Sequence, residues 1–259
     1  MGKNSDSLPP YSTNNNIGEP LLVTDSVAST NNYAMELINN NMAQHGMAIF
    51  THEQTHGKGQ RGKQWVTTKG ENIILSAILS AARIKHLNKF LLSMAMAIAA
   101  NKFLNKYTVD ENSVKWPNDL YWRDRKAGGI LIENIFRGKE WQWAVVGIGI
   151  NINQTTFAEY AQRAVSVKQI TGKMYDPFVL AKELCKYLQT KYDELITDTP
   201  EKIIDEYNSV LYKRNEKVTL RKGNISFECV IKGVTPNGQL ITTSAVEQVF
   251  DVGEVQWVI

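Results

Sequence analysis

A stretch of nine residues in the first third of the chain combines bare backbone with positive charge. It runs from Gly57 to Trp65 and reads GKGQRGKQW. Backbone N–H groups in glycine-rich turns can converge on an anion. Lysine and arginine add charged donors, and arginine can bind phosphate through two parallel hydrogen bonds. This stretch, called the glycine loop below, therefore indicates a phosphate site, although taken alone it also fits a flexible basic loop without a ligand.

Two common phosphate motifs do not describe the glycine loop. A Walker A motif ends in Gly-Lys-Ser or Gly-Lys-Thr, and the loop has no such ending. A dinucleotide fingerprint opens a helix and is followed by an acidic residue about 20 positions later. Lys63, Gln64 and Trp65 open no evident helix, and no suitable acidic residue follows. The loop is therefore neither a Walker A motif nor a full dinucleotide fingerprint.

Three further segments carry polar side chains at turns or strand ends. The segment KWPND places Lys115, Asn118 and Asp119 around a tight turn. Lys126 precedes two glycines and an apolar run, and Asn151 ends the buried stretch GIGIN. Taken singly, these residues are typical of a surface cation, a turn and a strand-end cap. Their combination with the glycine loop indicates one shared site.

Composition favours a globular protein in a reducing compartment. A chain of 259 residues with 43% hydrophobic content can bury a full core and predicts one large and one small domain. A formal charge of +3 does not favour a nucleic-acid-binding protein. Cys185 and Cys229 alone form neither a disulfide framework nor a metal site, so we expect a cytoplasmic protein without its own metal ligands. No run approaches the ~18 apolar residues of a membrane span, and the first 20 residues lack the apolar core of a secretory signal.

The chain divides into three predicted parts. Residues 1–19 are polar and are expected to form a mobile lead-in. Residues 20–212 alternate helices and buried strands and form the large domain. Beyond Tyr212, short strands broken by Lys-Gly-Asn, Pro-Asn-Gly and Val-Gly-Glu predict a small antiparallel barrel over residues 213–259.

Helices are predicted where good helix formers run without Gly or Pro, or where a capping residue precedes them. Ser29 or Thr30 is expected to cap the first helix. A turn at residues 117–119 predicts a β-hairpin whose second strand begins at Ile130. The pattern places an extended segment at 21–25 and helices at 31–39, 88–107, 177–196 and 200–211.

The order and spacing of four segments resemble those of the biotin protein ligases. These segments are DSVASTNNYA, EQTHGKGQRGKQW, VKWPNDLYWRDRKAGGILIE and VVGIGININ, and they span about residues 20–155. The resemblance implies an α+β fold, in which a mixed β-sheet with helices packed on it is joined to a C-terminal SH3-like β-barrel. It makes residues 20–212 the catalytic domain that binds biotin and ATP.

The resemblance implies an enzyme that works in two steps. Biotin and ATP, with Mg²⁺ bound to the ATP, give biotinyl-5′-AMP and pyrophosphate. A lysine of a biotin carboxyl carrier protein domain then attacks the activated carbonyl and releases AMP. A cationic loop rich in N–H groups would offset the repulsion between the carboxylate and the triphosphate. We expect no N-terminal DNA-binding domain, and hence a ligase only, monomeric or homodimeric, without nucleic-acid or membrane partners.

The resemblance also assigns residues. It makes Lys126, Arg61 and Asp119 the catalytic residues, with Asp119 orienting the acceptor lysine or taking its proton. The residues implied to bind the nucleotide are Arg61, Lys63, Trp65, Asn118 and Asn151. Those implied to bind biotin are Ser29, Thr30, Asn31, Gln54, Gly57, Lys58, Gly59, Lys126, Gly129 and Leu131.

Two other functions compete with this interpretation. A lipoate or octanoate protein ligase would have a related fold and the same acyl-adenylate mechanism, but the glycine loop together with KWPNDL disfavours it. A nucleic-acid-binding module would use the basic loop and the barrel. The small net charge and the lack of aromatic residues interleaved with basic ones disfavour that module.

Overall fold

The computed structural model describes residues 16–109, 112–158, 161 and 163–258. Its centre is a seven-stranded mixed sheet with the strand order β1-β2-β3-β7-β6-β5-β4, in which only the β1–β2 pair is parallel. The strands are β1 (Leu21–Thr24), β2 (Ala48–Thr51), β3 (Asn72–Ser80), β4 (Asn112–Lys115), β5 (Asp119–Trp122), β6 (Arg125–Arg137) and β7 (Glu140–Asn151).

One face of this sheet carries the main core. The helix α2 contains no glycine or proline and is buried on most sides, as its apolar residues predict. It packs against the sheet together with the helices that follow the sheet in sequence. The helices are α1 (Thr30–Asn39), α2 (Lys89–Thr108), α3 (Val167–Thr171), α4 (Pro177–Thr197) and α5 (Pro200–Ser209).

The opposite face is covered only in part. Helix α1 buries Ala34, Leu37 and Ile38 against Ile78 and Val145, which lie on β3 and β7. Farther along the same strands, no helix of the described part of the chain covers this face. The glycine loop lies over that remaining stretch, as described below.

A second sheet of five antiparallel strands follows, in the order β11-β10-β9-β8-β12. It contacts the large domain through the hydrogen bond from Trp116 Nε1 to the carbonyl of Gly238, 2.9 Å, and through the rings of Tyr212 and Trp257. The predicted α+β class with a small C-terminal barrel is confirmed. The strands are β8 (Lys217–Lys222), β9 (Ile225–Val234), β10 (Leu240–Thr243), β11 (Glu247–Phe250) and β12 (Gln256–Val258).

Two local predictions need correction. The turn after Trp116 joins β4 to a further strand, β5, and β6 begins at Arg125 rather than at Ile130, so three strands replace the predicted two. Ser29 stands at the N-cap position of α1, but its side chain makes no capping hydrogen bond. The hydroxyl of Thr30 is engaged elsewhere, as described below.

The N-terminal boundary also differs from the prediction. Residues 1–15 of the predicted lead-in lie outside the described residues. Ile17 is buried, and its N–H donates to Gln189 Oε1 at 2.7 Å. The packed part of the chain therefore begins no later than Ile17, whereas the sequence predicts its start at residue 20. Within the described ranges, no helix combines the length and the apolar character that a membrane crossing requires.

Candidate active site

Glycines on two neighbouring strands create a bare strip on the partly covered face of the central sheet. Gly147 and Gly149 alternate along β7, so both point to the same face. The register places Leu131 opposite Gly147 and Gly129 opposite Gly149. Sequence reasoning missed Gly147 and Gly149, although two alternate glycines in a buried strand signal a close approach of other groups.

A buried polar cluster closes one end of this strip. Gln54 Oε1 accepts hydrogen bonds from the backbone N–H of Thr30, 2.8 Å, and lies 3.1 Å from Thr30 Oγ1. Ser76 Oγ lies 2.7 Å from Thr30 Oγ1 and 2.6 Å from Asn31 Oδ1. Asn31 Nδ2 donates to Glu133 Oε2 at 2.7 Å. The structure thus unites Thr30, Asn31 and Gln54, as expected. It adds Ser76, which lies outside the four segments named above, and Glu133, which ends the segment VKWPNDLYWRDRKAGGILIE but for which the resemblance implied no role.

The glycine loop folds back on itself as a small hairpin beside this cluster. Trp65 N donates to the carbonyl of Gly57, 2.9 Å, and Gly59 N donates to the carbonyl of Lys63, 2.7 Å. A side chain at position 57 would place its Cβ 2.2 Å from the carbonyl oxygen of Trp65 and 2.9 Å from Gln54 Nε2. Position 57 therefore has to be glycine for the loop to lie against Gln54.

Trp65 covers the middle of the bare strip. A Cβ atom at Gly149 would lie 2.5 Å from the indole ring, so the ring rests directly on that glycine. The indole Nε1 is buried, and no described residue accepts its hydrogen bond. Lys126 Nζ lies 5.6 Å from the centre of a Trp65 ring, within the range of a cation–π contact. Trp65 therefore contributes to the bare strip an aromatic ring and an indole N–H that has no acceptor among the described residues.

Lys126 and Asp119 meet at the other end of the strip. Lys126 Nζ lies 2.6 Å from Asp119 Oδ1, and both side chains are about one third exposed. Gly129 makes room for them, because a Cβ there would lie 3.3 Å from Asp119 Oδ1 and 3.4 Å from Lys126 Nζ. The pair presents a cation to an anionic ligand and a carboxylate that can accept a proton.

A second lysine lies behind this pair. Lys115 is directly opposite Asp119 in the β4–β5 register and is only 8% exposed. Its Nζ lies 3.1 Å from the Tyr121 hydroxyl and sits over the rings of Tyr121 and Trp257. The pKa of Lys115 is lowered to about 8, chiefly by burial; Asp119 opposes this shift, and nearby cations including Lys126 contribute to it. A positive charge on Lys115 therefore reduces the free energy of unfolding.

The two asparagines predicted at the nucleotide end are engaged with backbone carbonyls. Asn118 Nδ2 donates to the carbonyl of Ile130, and Ile130 N donates back to the carbonyl of Asn118, 3.0 Å. Asn151 Nδ2 donates to the carbonyl of Val165, 3.2 Å. These bonds lock the β4–β5 turn and the end of β7 around the Lys126 segment. Contact of either side chain with a nucleotide stays a prediction.

The cations of the glycine loop point in different directions. Lys58 Nζ donates to Asn32 Oδ1 at 2.6 Å, which ties the loop to α1. The guanidinium of Arg61 lies against Gly253 of the barrel, since a Cβ there would fall 1.3 Å from Nη2. Lys63 is exposed. The structure therefore places Arg61 at the junction of the two domains.

Among the described residues, no group of three or more His, Cys, Asp or Glu side chains is arranged to hold a metal ion. Cys185 and Cys229 are buried free thiols.

Known proteins share this sequence pattern. The model of the biotin/lipoate A/B protein ligase family matches residues 23–151, about half of the chain. The bifunctional ligase/repressor BirA of Bacillus spizizenii is 29% identical over 195 residues, covering 73% of this chain and 59% of the relative. The chain thus spans less than two thirds of that relative. A biotin–acetyl-CoA-carboxylase ligase of Paracoccus denitrificans is 26% identical over 218 residues, covering 80% of this chain and 88% of the relative.

Solved structures share the fold. The biotin protein ligase from Aquifex aeolicus in complex with biotin and ATP superimposes with a TM-score of 0.76 at 25% identity. The superposition covers 91% of this chain and 97% of the other, so it includes the barrel as well as the large domain. Sequence pattern, sheet topology and the matched segment agree: the chain belongs to the biotin/lipoate A/B protein ligase family.

Proposed function

We propose that this chain is an ATP-dependent ligase that activates biotin as biotinyl-5′-AMP and transfers it to a lysine of a biotin carboxyl carrier protein domain. The observation that carries the proposal is that three features meet on one bare strip of the sheet. These are the polar cluster, the cationic glycine loop and the Lys126–Asp119 pair. Family membership and the likeness to an enzyme that holds biotin and ATP support it.

The polar cluster suits the ureido ring of biotin. A cyclic urea carries N–H groups beside a carbonyl group, and Thr30 and Gln54 offer polar atoms within 3.1 Å of each other. The valeryl tail of biotin would then run past Leu131 and Gly129 on β6 toward Lys126, beside the Trp65 ring that lies on Gly149. In this pose the uncharged ring would lie between Thr30 and Gln54, and the carboxylate would lie next to the ammonium group of Lys126, where it can be activated.

Adenylation joins the biotin carboxylate to the α-phosphate of ATP. A carboxylate oxygen attacks phosphorus, and pyrophosphate leaves with the electron pair of the broken P–O bond. Lys126 would neutralise the charge that builds on the phosphate and acyl oxygens. Arg61 and Lys63 would bind phosphate from the loop, and Trp65, with Asn118 and Asn151, would line the nucleotide end. Mg²⁺ would enter with ATP as part of the substrate.

Transfer requires a neutral amine from the carrier lysine. The amine attacks the acyl carbon of the mixed anhydride, an amide bond forms, and AMP departs with its phosphate oxygen. The amine must lose a proton, and the carboxylate of Asp119, which lies beside Lys126, would orient the amine or accept that proton. Closure of the glycine loop with Trp65 would keep water away from the anhydride.

The cellular setting follows from the same proposal. The two buried free thiols suit a reducing compartment, and we place the enzyme in the cytoplasm. A division into a catalytic domain of residues 20–212 and a barrel of residues 213–259, and assembly as a monomer or homodimer, remain part of the proposal.

A transfer assay tests this function. The protein is incubated with MgATP, a biotin carboxyl carrier protein domain, and equal concentrations of biotin and lipoate. Mass spectrometry of the carrier should find one biotinyl group on a single lysine and no lipoyl group. A carrier variant with that lysine changed to Arg is the matched control. A preference for lipoate would favour the related lipoate or octanoate ligase activity.

A further inference from the structure

A run of hydrogen bonds connects a carboxylate on β6 to the hydroxyl of Thr30 in the pocket. Glu133 Oε2 accepts from Asn31 Nδ2 at 2.7 Å, and Asn31 Oδ1 lies 2.6 Å from Ser76 Oγ. Ser76 Oγ in turn lies 2.7 Å from Thr30 Oγ1. Asn31, Ser76 and Thr30 are each at most 3% exposed. Since the surroundings exclude bulk water, these groups must satisfy one another.

The carboxylate sets the direction of every proton in this run. An ionised carboxylate only accepts hydrogen bonds, so Asn31 turns Nδ2 toward Glu133 and Oδ1 toward Ser76. The amide oxygen of Asn31 also only accepts, so the hydroxyl proton of Ser76 points to Asn31. Ser76 is left with lone pairs on the side that faces Thr30.

Thr30 Oγ1 consequently has no proton to offer a ligand. Its proton is directed either to Ser76 Oγ, 2.7 Å away, or to Gln54 Oε1, 3.1 Å away. Gln54 Oε1 is itself held by the backbone N–H of Thr30 at 2.8 Å. That bond turns Gln54 Nε2 toward Gly57, where a side-chain atom would approach within 2.9 Å. The pocket therefore combines an acceptor on Thr30 with a donor on Gln54.

We propose that Glu133 is a positioning residue that makes this pocket selective for rings with an N–H group beside a carbonyl group, such as a cyclic urea. This inference rests on the proposed function and deepens it. Glu133 acts through Asn31 and Ser76 without touching the ligand. A dithiolane ring carries neither an N–H nor a carbonyl group, so it would give neither the acceptor on Thr30 nor the donor on Gln54 a partner, and a ligand that leaves such groups unmatched is strongly rejected.

The test measures biotin binding by isothermal titration and the KM for ATP. Glu133→Leu removes the charged acceptor and leaves Asn31 Nδ2 only the weaker contact with the carbonyl of Leu131, 3.4 Å away, so that the Asn31 amide can turn over. We expect the Kd for biotin to rise about tenfold, the scale of one mispaired buried hydrogen bond, with the KM for ATP unchanged. Glu133→Gln keeps an oxygen that can accept and should recover part of the loss. Glu36→Leu makes the same change on the exposed side of α1 and should change neither quantity.

A double-mutant cycle separates this role from a general loss of packing. Ser76→Ala should weaken biotin binding alone, but should add little in the Glu133→Leu background, because both changes break one run of hydrogen bonds. Two results would overturn the inference. In one, the increases in biotin Kd of the two single variants multiply in the double variant. In the other, the biotin Kd of Glu133→Leu stays within about twofold of wild type. A wild-type protein that binds no biotin overturns the proposed function and this inference together.

Discussion

Lys126 and Asp119 form an ion pair over Gly129, where the bare strip meets the KWPND turn. In the free protein this pair satisfies both charges. An arriving carboxylate and phosphate would compete with Asp119 for the ammonium group, which leaves Asp119 available to the acceptor amine. The same two side chains can thus serve both half-reactions in succession.

Removing the ammonium group of Lys126 should damage the first half-reaction most. We expect Lys126→Ala to lower the rate of adenylate formation ~10²–10³-fold, the scale for one preorganised donor at a developing charge. Biotin affinity should fall much less, because the ureido end lies at the other end of the strip. Single-turnover formation of biotinyl-5′-AMP measures this. Lys139→Ala, an exposed change at the β6–β7 turn, is the control, and near-normal adenylation by Lys126→Ala would refute the assignment.

The buried Lys115 makes the stability of the protein depend on pH. Its pKa is lowered to about 8 by burial, so between about pH 8 and the usual pKa of 10.5 the unfolded chain holds a proton that the folded protein has lost. The free energy of unfolding therefore rises with pH across this window, and the cost of the buried charge is fully present below it.

We expect Lys115→Met to raise the free energy of unfolding by roughly 2 kcal/mol at about pH 7, because a buried charge is replaced by an apolar side chain. The gain should shrink toward pH 10. Urea unfolding at about pH 7 and about pH 9.5 checks this, with the exposed Lys139→Met as the control. A gain that does not vary with pH, or a loss at pH 7, would contradict the pKa of Lys115.

Strand β7 has no side chain at Gly147 and Gly149, and this leaves room for the groups that pack on it. Gly149→Ala would place a methyl group 2.5 Å from the Trp65 ring. We expect the ring and the loop behind it to be displaced, with a loss of ~10-fold or more in kcat/KM for adenylation, since small misplacements near the reacting groups are costly. Circular dichroism should report an unchanged fold. Normal kinetics in a folded variant would mean that the seat of Trp65 on Gly149 is irrelevant to the reaction.

Four of the five α-helices that the structure describes, and the barrel, could be predicted from sequence because their signals are local; the five-residue helix α3 was missed. The span of α2 follows from twenty helix-forming residues without Gly or Pro, and the barrel follows from short strands broken by turn residues. The strand β5 was missed because its four residues lie between two turn signals. The parallel pairing of β1 with β2 depends on contacts between distant segments, which local pattern does not encode.

The residues of the candidate site also separate into those that local motifs indicate and those that depend on contacts between distant segments. Four site residues lie in motifs with recognisable spacing and are indicated by the family resemblance: Thr30, Gln54, Lys126 and Asp119. The structure brings them to one face of the sheet. Ser76 lies in the buried strand β3, and Glu133 lies on the half-buried strand β6, where the motif that it ends gives it no evident role. Their polar role arises only when the β3–β7–β6 register places them beside Asn31, and register cannot be derived from the motifs.

At the scale of the whole molecule, the barrel touches the glycine loop. The Arg61 guanidinium rests on Gly253 in the turn before β12, which has a φ of 91°. A loop held in this way would connect closure over the adenylate with the position of the barrel.

We expect Gly253→Ala to push Arg61 away and to speed dissociation of biotinyl-5′-AMP by about fivefold, equivalent to ~1 kcal/mol of lost contact. Gly223→Ala is a close control, because Gly223 also lies in a barrel turn at positive φ but has open space around it. Stopped-flow release of the adenylate compares the two. Equal release rates would show that the barrel does not hold the loop closed.

We propose that this chain activates biotin on the bare strip of its sheet. The most direct measurement is mass spectrometry of the small molecules formed when the purified protein is mixed with ATP, Mg²⁺ and equal concentrations of biotin and lipoate, without a carrier. We expect biotinyl-5′-AMP in an amount close to that of the protein, no lipoyl-adenylate, and little product from Lys126→Ala. Absence of any acyl-adenylate, or formation of lipoyl-adenylate alone, would contradict it.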